Sequence, residues 1–497
     1  MMKSSRRELL RQLGFGAAGA VLAAGCGQRS NQAVASAIPA ADTSPEAIAG
    51  KPNVVFVLVD DLGWADVGCY GNRFNETPNI DRLASQGMRF TDAYAACPVC
   101  SPTRASIVSG QYPARLGITD FITGHWRPFE KLTVPINRTQ YLPLKIVTFA
   151  EALKGAGYAT AAFGKWHLGG RPHFPDKQGF DTMFVSGGGH FGPRTTPNVG
   201  LKKDDYLAEA ITDHGEKFIR ANKDRPFCLY LMHYAVHIPL QARKELIAKY
   251  QNKPKPPAGV NNPVYAAMVE HVDRSVGRIM KTLDALKLAD RTVVVFFSDN
   301  GGLRRHYQNI GPIVTTNAPL RDEKGTLYEG GIREPLIVRW PGHVKPASTC
   351  SEPVTSVDFH PTLLEIAGAD RPADQACDGV SLVPLLRQTG RPKREAIFWH
   401  YPHYHHSAPA GAVRQGDWKL IEFYEDGKLE LYNLADDIGE KTDLAAAQPK
   451  RAAALRARLH AWRKSVNAAM PVKNPKHDPA RAAQWGRHPS RSRQPRR

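Results

Sequence analysis

Cys100 begins a Cys-Ser-Pro-Thr-Arg stretch whose residue types could bind or attack an anion. Pro102 suits the first turn of a helix, where its missing N–H is not needed, and Gly110 suits the helix end. The N-terminus of such a helix favours negative charge, either a thiolate or a bound oxyanion. Arg104 lies one turn into the helix and could reach the same point. The stretch therefore predicts a nucleophile, an anion site and a fixed cation close together; an ordinary helix start with an incidental Cys is the alternative.

Hard oxygen ligands follow two continuous apolar runs, at residues 53–59 and 292–297. Such runs predict strands buried on both faces, and ligands gather at the carboxyl ends of parallel strands. Carboxylate and amide oxygens suit Ca²⁺ or Mg²⁺ better than zinc. An Asp pair alone could simply cap a helix, but two such strand ends in one sheet predict a divalent-metal site. The candidate ligands are Asp60, Asp61, Asp299 and Asn300.

Cationic side chains occupy loops that follow other apolar runs. Each of them alone is typical of an ordinary surface or hydrogen-bonded residue. Together with Arg104 they would form a ring of positive charge around the metal, which suits a tetrahedral oxyanion. These residues are Lys165, His167, His237 and Lys324.

The middle of the chain alternates predicted strands and helices, which indicates an α/β fold with a parallel sheet. The predicted strands are residues 53–59, 159–163, 227–232, 292–297 and 335–339. The predicted helices are residues 145–155, 204–222, 264–287 and 358–367. No internal repeat interrupts this pattern.

The net charge of +19 is concentrated at the two ends of the chain. Residues 450–497 hold 14 Lys/Arg against one Asp, and residues 1–30 hold five Lys/Arg against one Glu, so the body carries only +2. A nucleic-acid-binding function is therefore not indicated. Residues 471–497 are rich in Pro and Arg and are expected to be a disordered basic tail, either solvated or attracted to an anionic surface.

Residues 1–29 are typical of an export signal. They resemble a twin-arginine signal, with an apolar run at 13–24 that is too short to span a bilayer. The residues up to Cys26 resemble a lipobox, which predicts a possible lipid anchor; a plain cleaved signal is the alternative. Residues 30–50 would be a flexible tether. The protein is expected to be exported, as a periplasmic or outer-membrane-anchored bacterial lipoprotein.

The cysteines do not form an even disulfide framework. Cys350 and Cys377 could pair in an oxidising compartment, although nothing in the sequence establishes it. Cys97 and Cys100 also form a Cys-x-x-Cys pattern, which can indicate a thiol–disulfide oxidoreductase. That alternative leaves the adjoining Ser-Pro-Thr-Arg and the candidate metal ligands unexplained.

The Cys100 stretch matches Cys-x-Pro-x-Arg, and the chain resembles the type I, formylglycine-dependent sulfatases, which are arylsulfatase-like members of the alkaline phosphatase superfamily. Further motifs of that family follow in its order: Gly-Lys-Trp-His-Leu-Gly at 164–169, Ser-Asp-Asn-Gly-Gly at 298–302, and the segment 324–335. The resemblance covers roughly residues 52–444.

This resemblance implies a large α/β domain, residues 51–390, with a central mostly parallel sheet between helices. It also implies a smaller C-terminal domain, residues 391–470, with an antiparallel sheet and a helix. The sequence agrees, since short strands at 396–400, 412–415, 418–423 and 429–434 are separated by turns and precede a helix at 450–465.

The resemblance also assigns roles to the candidate residues. A formylglycine-generating enzyme would oxidise Cys100, and the hydrated aldehyde would carry two hydroxyl groups. One hydroxyl, activated by Asp299, would attack the sulfate sulfur, and the second would give its proton to His167 and expel sulfate. The metal, Ca²⁺ or alternatively Mg²⁺, would be bound by Asp60, Asp61, Asp299, Asn300 and the residue at position 100. His237 and Lys324 would hold the sulfate, and Arg104 and Lys165 would hold the formylglycine.

The expected substrate is a sulfated saccharide or an aryl sulfate. Ser186, His405 and His406 are candidate substrate-binding residues, and His125 and Trp126 are expected to line the same pocket; a solvated loop or an adventitious metal site is the alternative for the histidines. Two other functions stay open. The chain could be a phosphonate or phosphate ester hydrolase of the same superfamily, or a non-catalytic lipoprotein that binds sulfated glycans if Cys100 is unmodified.

Overall fold

The computed structural model describes residues 50–305 and 312–492. The predicted export signal, the lipobox at Cys26 and nearly all of the predicted tether lie outside these residues. Within them, no helix is both long enough and apolar enough to cross a membrane.

The strands are β1 (Asn53–Val59), β2 (Met88–Tyr94), β3 (Leu132–Thr133), β4 (Ala159–Gly164), β5 (Thr182–Ser186), β6 (Thr195–Thr196), β7 (Phe227–Met232), β8 (Thr292–Ser298), β9 (Arg333–Arg339), β10 (Ser348–Cys350), β11 (Val354–Thr355), β12 (Ile397–Tyr401), β13 (Ala410–Gln415), β14 (Trp418–Phe423), β15 (Leu429–Asn433) and β16 (Val472–Lys473). The helices are α1 (Pro78–Ser85), α2 (Cys100–Ser109), α3 (Pro113–Leu116), α4 (Phe149–Gly155), α5 (Leu207–Ala221), α6 (Lys244–Asn252), α7 (Pro263–Ala285), α8 (Glu329–Ile332), α9 (Phe359–Ala367), α10 (Val383–Leu386) and α11 (Pro449–Ser465).

A ten-stranded sheet forms the centre, in the order β10-β2-β9-β8-β1-β7-β4-β5-β6, with β11 also paired to β2. Its central strands β8, β1, β7, β4 and β5 are parallel, which confirms the mostly parallel sheet. β9 departs from the predicted parallel pattern, because it runs antiparallel to β8 and β2. The sequence analysis also missed β2, whose alternating burial and bulged register lack the continuous apolar run of a central strand.

Both faces of the sheet are covered by helices, which explains why β1 is apolar throughout. Val55, Val57 and Val59 belong to a hydrophobic cluster that includes side chains of α1, α5, α6 and α7. The alternate β1 residues belong to the opposite cluster, with side chains of α2, α4 and α9. Each fully buried aliphatic or aromatic side chain contributes about 1.5–3 kcal/mol. This packing holds the carboxyl ends of β1 and β8 in a fixed position.

The strands β12–β15 form a separate antiparallel sheet, as predicted. One face packs on α11 through Leu455 and Leu459, and the other shares a cluster with Tyr94 of β2. The described residues 50–305 and 312–492 belong to one compact unit, so the boundary between 390 and 391 stays a prediction.

Residues 471–492, here called the C-terminal strap, are ordered against the body, so the expectation of a disordered tail is wrong for them. β16 pairs with β3, and the Asn474 side chain donates to the carbonyls of Pro128 and Glu130 at 3.0 and 2.7 Å. Arg481 lies over the Phe129 ring, 3.5 Å from its centroid. The strap has little apolar content, but it becomes ordered because it docks on the segment that contains Phe129 and β3. Residues 493–497 lie outside the described part.

Acid should destabilise the fold through buried histidines, at pH values above the ordinary pKa range of carboxyl groups. Burial lowers the pKa of six histidines from 6.5 to about 4: His190, His233, His237, His271, His360 and His400. At these histidines the unfolded chain binds more protons than the folded one between these values, so they lower stability as the pH falls from 6.5 towards 4. Asp66 and Asp120, whose pKa values burial raises to about 6 and about 7, act in the opposite direction. Each histidine contributes about 1.4 kcal/mol per pH unit in this window.

Urea unfolding at pH 7.0, 6.0, 5.0 and 4.5 measures this loss. The slope of the free energy of unfolding against pH reports the difference in bound protons, and His360→Gln should reduce that difference by about one proton. A free energy of unfolding that does not change between pH 7 and 4.5 would contradict the prediction.

Candidate active site

The ends of two adjacent parallel strands bring the four predicted oxygen ligands together. Val59 of β1 pairs with Ser298 of β8, so Asp60 and Asp61 follow one strand where Asp299 and Asn300 follow the other. All four side chains are buried. The Asp61 backbone N–H donates to Asp299 Oδ1 at 3.2 Å, and Asn300 Nδ2 donates to Asp61 Oδ1 at 2.8 Å.

Helix α2 places Cys100 beside this cluster. The helix begins at Cys100 itself, has Pro102 in its first turn and ends at Gly110, whose φ of 70° is the left-handed conformation predicted for the cap. The Cys100 sulfur and one carboxylate oxygen each of Asp60 and Asp299 lie within 4.8 Å of one another, close enough to bind one metal ion. The predicted nucleophile position and two predicted metal ligands therefore meet.

Three buried cations face the three carboxylates. Lys165 Nζ lies 2.5 Å from Asp60, and Lys324 Nζ donates to both Asp61 oxygens at 2.7 and 2.8 Å. Arg104 Nε donates to Asp299 Oδ2 at 2.8 Å, and Arg104 Nη2 lies 3.8 Å from Asp60. The predicted cationic ring is thus present around the cluster.

These charges shift the carboxyl groups in opposite directions. Burial alone would raise the pKa of Asp60 and Asp61, but Lys165 and Lys324 respectively, aided by His237, lower it below the ordinary value. Burial and the Asp60 charge raise the pKa of Asp299 well above the ordinary value despite Arg104. Three adjacent carboxylates are therefore not fully ionised without additional positive charge, which a divalent cation would supply.

The polar atoms of the cluster fit such a cation. Asn300 Oδ1 is buried without a hydrogen-bond partner. Both Asp60 oxygens likewise lack a hydrogen bond of good geometry, although Lys165 is within ion-pair distance. Buried acceptors of this kind need a partner, and a set of hard oxygen donors suits Ca²⁺ or Mg²⁺.

Two histidines present unprotonated nitrogens to the site. His167 Nε2 lies 2.6 Å from the Ile122 carbonyl and must donate to it, which leaves Nδ1, 3.2 Å from the Cys100 sulfur, as an acceptor. His237 Nδ1 donates to the Ile238 carbonyl at 2.7 Å, and its Nε2 lies 3.6 Å from Asp61 Oδ2. Burial lowers the pKa of these histidines to about 3 and about 4, respectively, so both are neutral at pH 7.

A cavity of about 860 Å³ opens onto this cluster. Cys100, Lys165, His167, His237 and Lys324 line it, and so do all three predicted substrate-binding residues, Ser186, His405 and His406. The buried Ser186 hydroxyl lacks a partner, and His406 Nδ1 donates to the Lys324 carbonyl at 2.7 Å.

The histidines of residues 400–406 fall into two groups, those at the cavity and those buried in the fold. His405 stacks on His125 with 4.8 Å between ring centroids, and His125 and Trp126 also line the cavity. His400 and His403 are buried instead, and His403 Nε2 lies 2.8 Å from the Thr119 hydroxyl.

Sequence reasoning missed several side chains that line the cavity: Phe121, Arg127, Arg194, Tyr234, Trp485, His488 and Arg491. No local pattern marks them as functional, because they reach the cavity only through tertiary packing. The last three belong to the C-terminal strap, which was expected to be disordered.

All six cysteines of the described part are free thiols, including Cys350 and Cys377. Cys97 contacts the Thr119 carbonyl at 3.7 Å, whereas Cys100 contacts His167. The Cys97 and Cys100 thiols therefore have separate partners.

Comparison with known families gives two matches that together cover most of the chain. The model described as "Sulfatase" matches residues 52–369. The model described as "N-sulphoglucosamine sulphohydrolase, C-terminal" matches residues 322–466.

Curated proteins of similar sequence extend over most of the chain. A protein named "Sulfatase" from Formosa agariphila is 34% identical, over 83% of this chain and 88% of its own. The N-acetylgalactosamine-6-sulfatase of Sus scrofa is 36% identical, over 76% of this chain and 73% of its own.

Solved structures also resemble this chain over most of its length. The crystal structure of Ps i-CgsB superposes with a TM-score of 0.72 at 30% identity, over 86% of this chain and 94% of that one. A protein solved in complex with its substrate, D-glucosamine-2-N,6-O-disulfate, gives a TM-score of 0.69 at 25% identity, over 84% and 98%.

Proposed function

The chain belongs to the sulfatase family of sulfuric ester hydrolases, in the alkaline phosphatase superfamily, and we propose that it hydrolyses sulfate esters of a sulfated saccharide through formylglycine at position 100 and a bound divalent metal. The observation that carries the proposal is the position of Cys100. It lies at the start of α2, beside His167 and the carboxylate cluster, and lines the cavity.

The residues around position 100 are suited to an attack on sulfate. Formylglycine at this position would supply, when hydrated, one hydroxyl as nucleophile and a second through which the sulfate is later expelled. A metal held by Asp60, Asp61, Asp299, Asn300 and the residue at position 100 would supply Lewis-acid charge. His167 Nδ1 is neutral and faces position 100 at 3.2 Å, so it can accept a proton there.

The cations hold the anionic groups in place. Lys324 and His237 flank Asp61 at the cavity wall, where they can contact the sulfate oxygens. Arg104 and Lys165 offset the charges of Asp299 and Asp60, the two carboxylates beside position 100. Water is partly excluded because these groups are buried, which strengthens their action on developing charge.

The cavity supports a saccharide as the substrate. Its volume of about 860 Å³ lies within the range of small-molecule sites, and aromatic and histidine rings line it. Relatives point the same way, since the names include an N-acetylgalactosamine-6-sulfatase and structures in complex with a glucosamine disulfate and with k-i-k-neocarrahexaose.

Sulfate release from a panel of sulfated mono- and disaccharides tests the proposed function, with an aryl sulfate and a phosphonate ester alongside. The protein should be produced together with a formylglycine-generating enzyme. We expect release from at least one sulfated saccharide and much slower cleavage of the phosphonate ester. Preferred cleavage of the phosphonate would instead support the alternative hydrolase, and binding without turnover by formylglycine-containing protein would contradict an enzyme.

Removal of the metal should lower both activity and thermal stability. Because the cluster holds three carboxylates, loss of the cation leaves unneutralised buried charge, and ligand linkage predicts a melting temperature several degrees lower after chelation. Ca²⁺ should restore it, and Mg²⁺ added separately identifies the preferred ion. Asp60→Asn should weaken this response, whereas Asp378→Asn, which removes a partner of Arg115 away from the cluster, should retain it. A melting temperature that does not respond to chelator or added ions would contradict the metal site.

For the location of the protein we propose export and lipid attachment at Cys26, on the basis of residues 1–29. Cys26→Ala should release the protein from the membrane fraction into the soluble fraction. An unchanged distribution would contradict the anchor.

A further inference from the structure

The C-terminal strap supplies part of the substrate cavity. Trp485, Gly486, His488 and Arg491 line the same cavity as Cys100. The two family matches end at residues 369 and 466, so the strap lies beyond both of them. The wall that it forms therefore lies outside the matched family regions.

The strap is fixed where it reaches the cavity. The Arg127 guanidinium lies 4.2 Å from the Trp485 ring centroid, and His125 packs on the same ring at 4.4 Å. Gly486 N donates to the Trp126 carbonyl at 2.8 Å, and Arg491 Nε donates to the Thr123 hydroxyl at 3.1 Å. Arg491 is thus held near the cavity at a defined point.

The charges of the cavity wall are not balanced. None of its described lining residues is Asp or Glu. Lys165, Lys324 and Arg127 each have a carboxylate partner, namely Asp60, Asp61 and Glu130. Arg194 and Arg491 are exposed, and neither forms an ion pair anywhere in residues 50–305 and 312–492.

We propose that Arg194 and Arg491 form a second anion-binding subsite at the mouth of the cavity, so that the preferred saccharide carries an anionic group in addition to the sulfate that is hydrolysed. A guanidinium binds the paired oxygens of sulfate or carboxylate through parallel N–H groups, which an ammonium cannot do. This inference rests on the proposed function, because it concerns the same cavity. It extends that function by specifying the charge of the preferred substrate.

The second anionic group could be a sulfate or a carboxylate. Both offer oxygens that a guanidinium group can bind. Three substrates separate them: one monosulfated saccharide, the same sugar with a second sulfate, and a disaccharide with one sulfate and one uronate. An aryl sulfate reports on the reaction centre without a second anionic group.

The test compares Arg194→Gln, Arg491→Gln and their combination with the wild type, by kcat and KM on each substrate. Either single change should lower kcat/KM for the dianionic saccharides by about 5- to 20-fold, mainly through KM. Monosulfated and aryl substrates should change by no more than about twofold. Added salt should reduce the preference of the wild type for the dianionic saccharides, because both guanidinium groups are exposed.

Arg481→Gln is the matched control. Arg481 is on the same strap and packs on Phe129, but it does not line the cavity. It should leave the substrate preference unchanged. Equal losses of kcat/KM on monoanionic and dianionic substrates would overturn the subsite. So would the same loss of preference for dianionic saccharides in Arg481→Gln, or a wild type that shows no such preference.

Failure of the subsite can be distinguished from failure of the proposed function. If the wild type released sulfate from no substrate, the proposed function would fail, and the subsite would be judged by binding alone. Calorimetry on Cys100→Ala protein, with and without Arg491→Gln, then measures affinity for the monosulfated and disulfated sugars. Weaker binding of the disulfated sugar alone supports the subsite, and parallel affinities overturn it.

Discussion

Cys100→Ala is expected to lower kcat/KM for sulfate release by about 10⁴-fold or more, because it removes the group that attacks sulfur. The fold should be little affected, since the Cys100 sulfur contacts His167 and the carboxylate cluster but is not part of the apolar clusters on either face of the sheet. Near-wild-type unfolding by urea, together with the loss of turnover, would separate a chemical role from a structural one.

Cys100→Ser distinguishes the formylglycine mechanism from a simple hydroxyl nucleophile. A serine hydroxyl could accept sulfate once, but it has no second hydroxyl through which the sulfate can be expelled. We therefore expect at most one equivalent of product per protein, followed by arrest, which a rapid-mixing burst measurement detects. Sustained turnover by this variant would contradict the mechanism.

The mass of the peptide that contains Cys100 gives an independent test. In active protein the peptide should be lighter by the exchange of the thiol-bearing group for an aldehyde. Protein made without a formylglycine-generating enzyme should retain the thiol and release sulfate far more slowly. A free thiol in fully active protein would exclude formylglycine as the nucleophile.

Part of this site could be predicted from the sequence because the relevant signals are local. The apolar run of β1 predicts a doubly covered strand, and strand ends in a parallel sheet must lie together, so the grouping of Asp60 with Asp299 follows from both. Both ends of α2 were equally predictable, since Pro102 is a local signal for the start of a helix and Gly110 for its end.

The rest depends on contacts that no local pattern carries. β2 is only partly buried, and its bulge between Phe90 and Ala93 breaks the apolar–polar alternation that would mark a strand. The C-terminal strap has the composition of a disordered segment and becomes ordered because β3 and the side chains around Phe129 accept it. Arg194 and Arg491 come from distant parts of the chain, and only the folded structure shows that they line one cavity.

Arg104→Ala should cause the largest combined loss of stability and activity of any change to the cationic ring. Arg104 is buried, donates to Asp299 at 2.8 Å and also donates to the Lys165 carbonyl. Its removal leaves two buried carboxylates without their shared cation. Breaking a buried ion pair in this way costs about 3–5 kcal/mol in the free energy of unfolding.

The loss of stability caused by Arg104→Ala should depend on pH in a definite direction. Without Arg104 the pKa of Asp299, which is already raised, rises further, and the pKa of Asp60 is lowered less, because less positive charge opposes their burial. The unfolded carboxyl groups ionise near pH 4, so the variant binds more protons when folded than when unfolded above that pH. Its deficit relative to the wild type should therefore be larger at pH 8 than at pH 6, and urea unfolding at both values measures it.

Arg104→Lys and Arg333→Lys show whether the geometry of the guanidinium matters at the reaction centre. A lysine keeps the charge but cannot make the several directed N–H contacts of Arg104. We expect Arg104→Lys to lower kcat/KM by about 100-fold or more. Arg333 forms a comparable buried pair with Glu329 at 2.6 Å, and its other ion-pair partner is Asp92 rather than a carboxylate of the candidate metal cluster, so Arg333→Lys should reduce stability without changing kcat/KM. Equal loss of activity in the two variants would mean that Arg104 only stabilises the fold, and unequal loss would place its charge and geometry in catalysis.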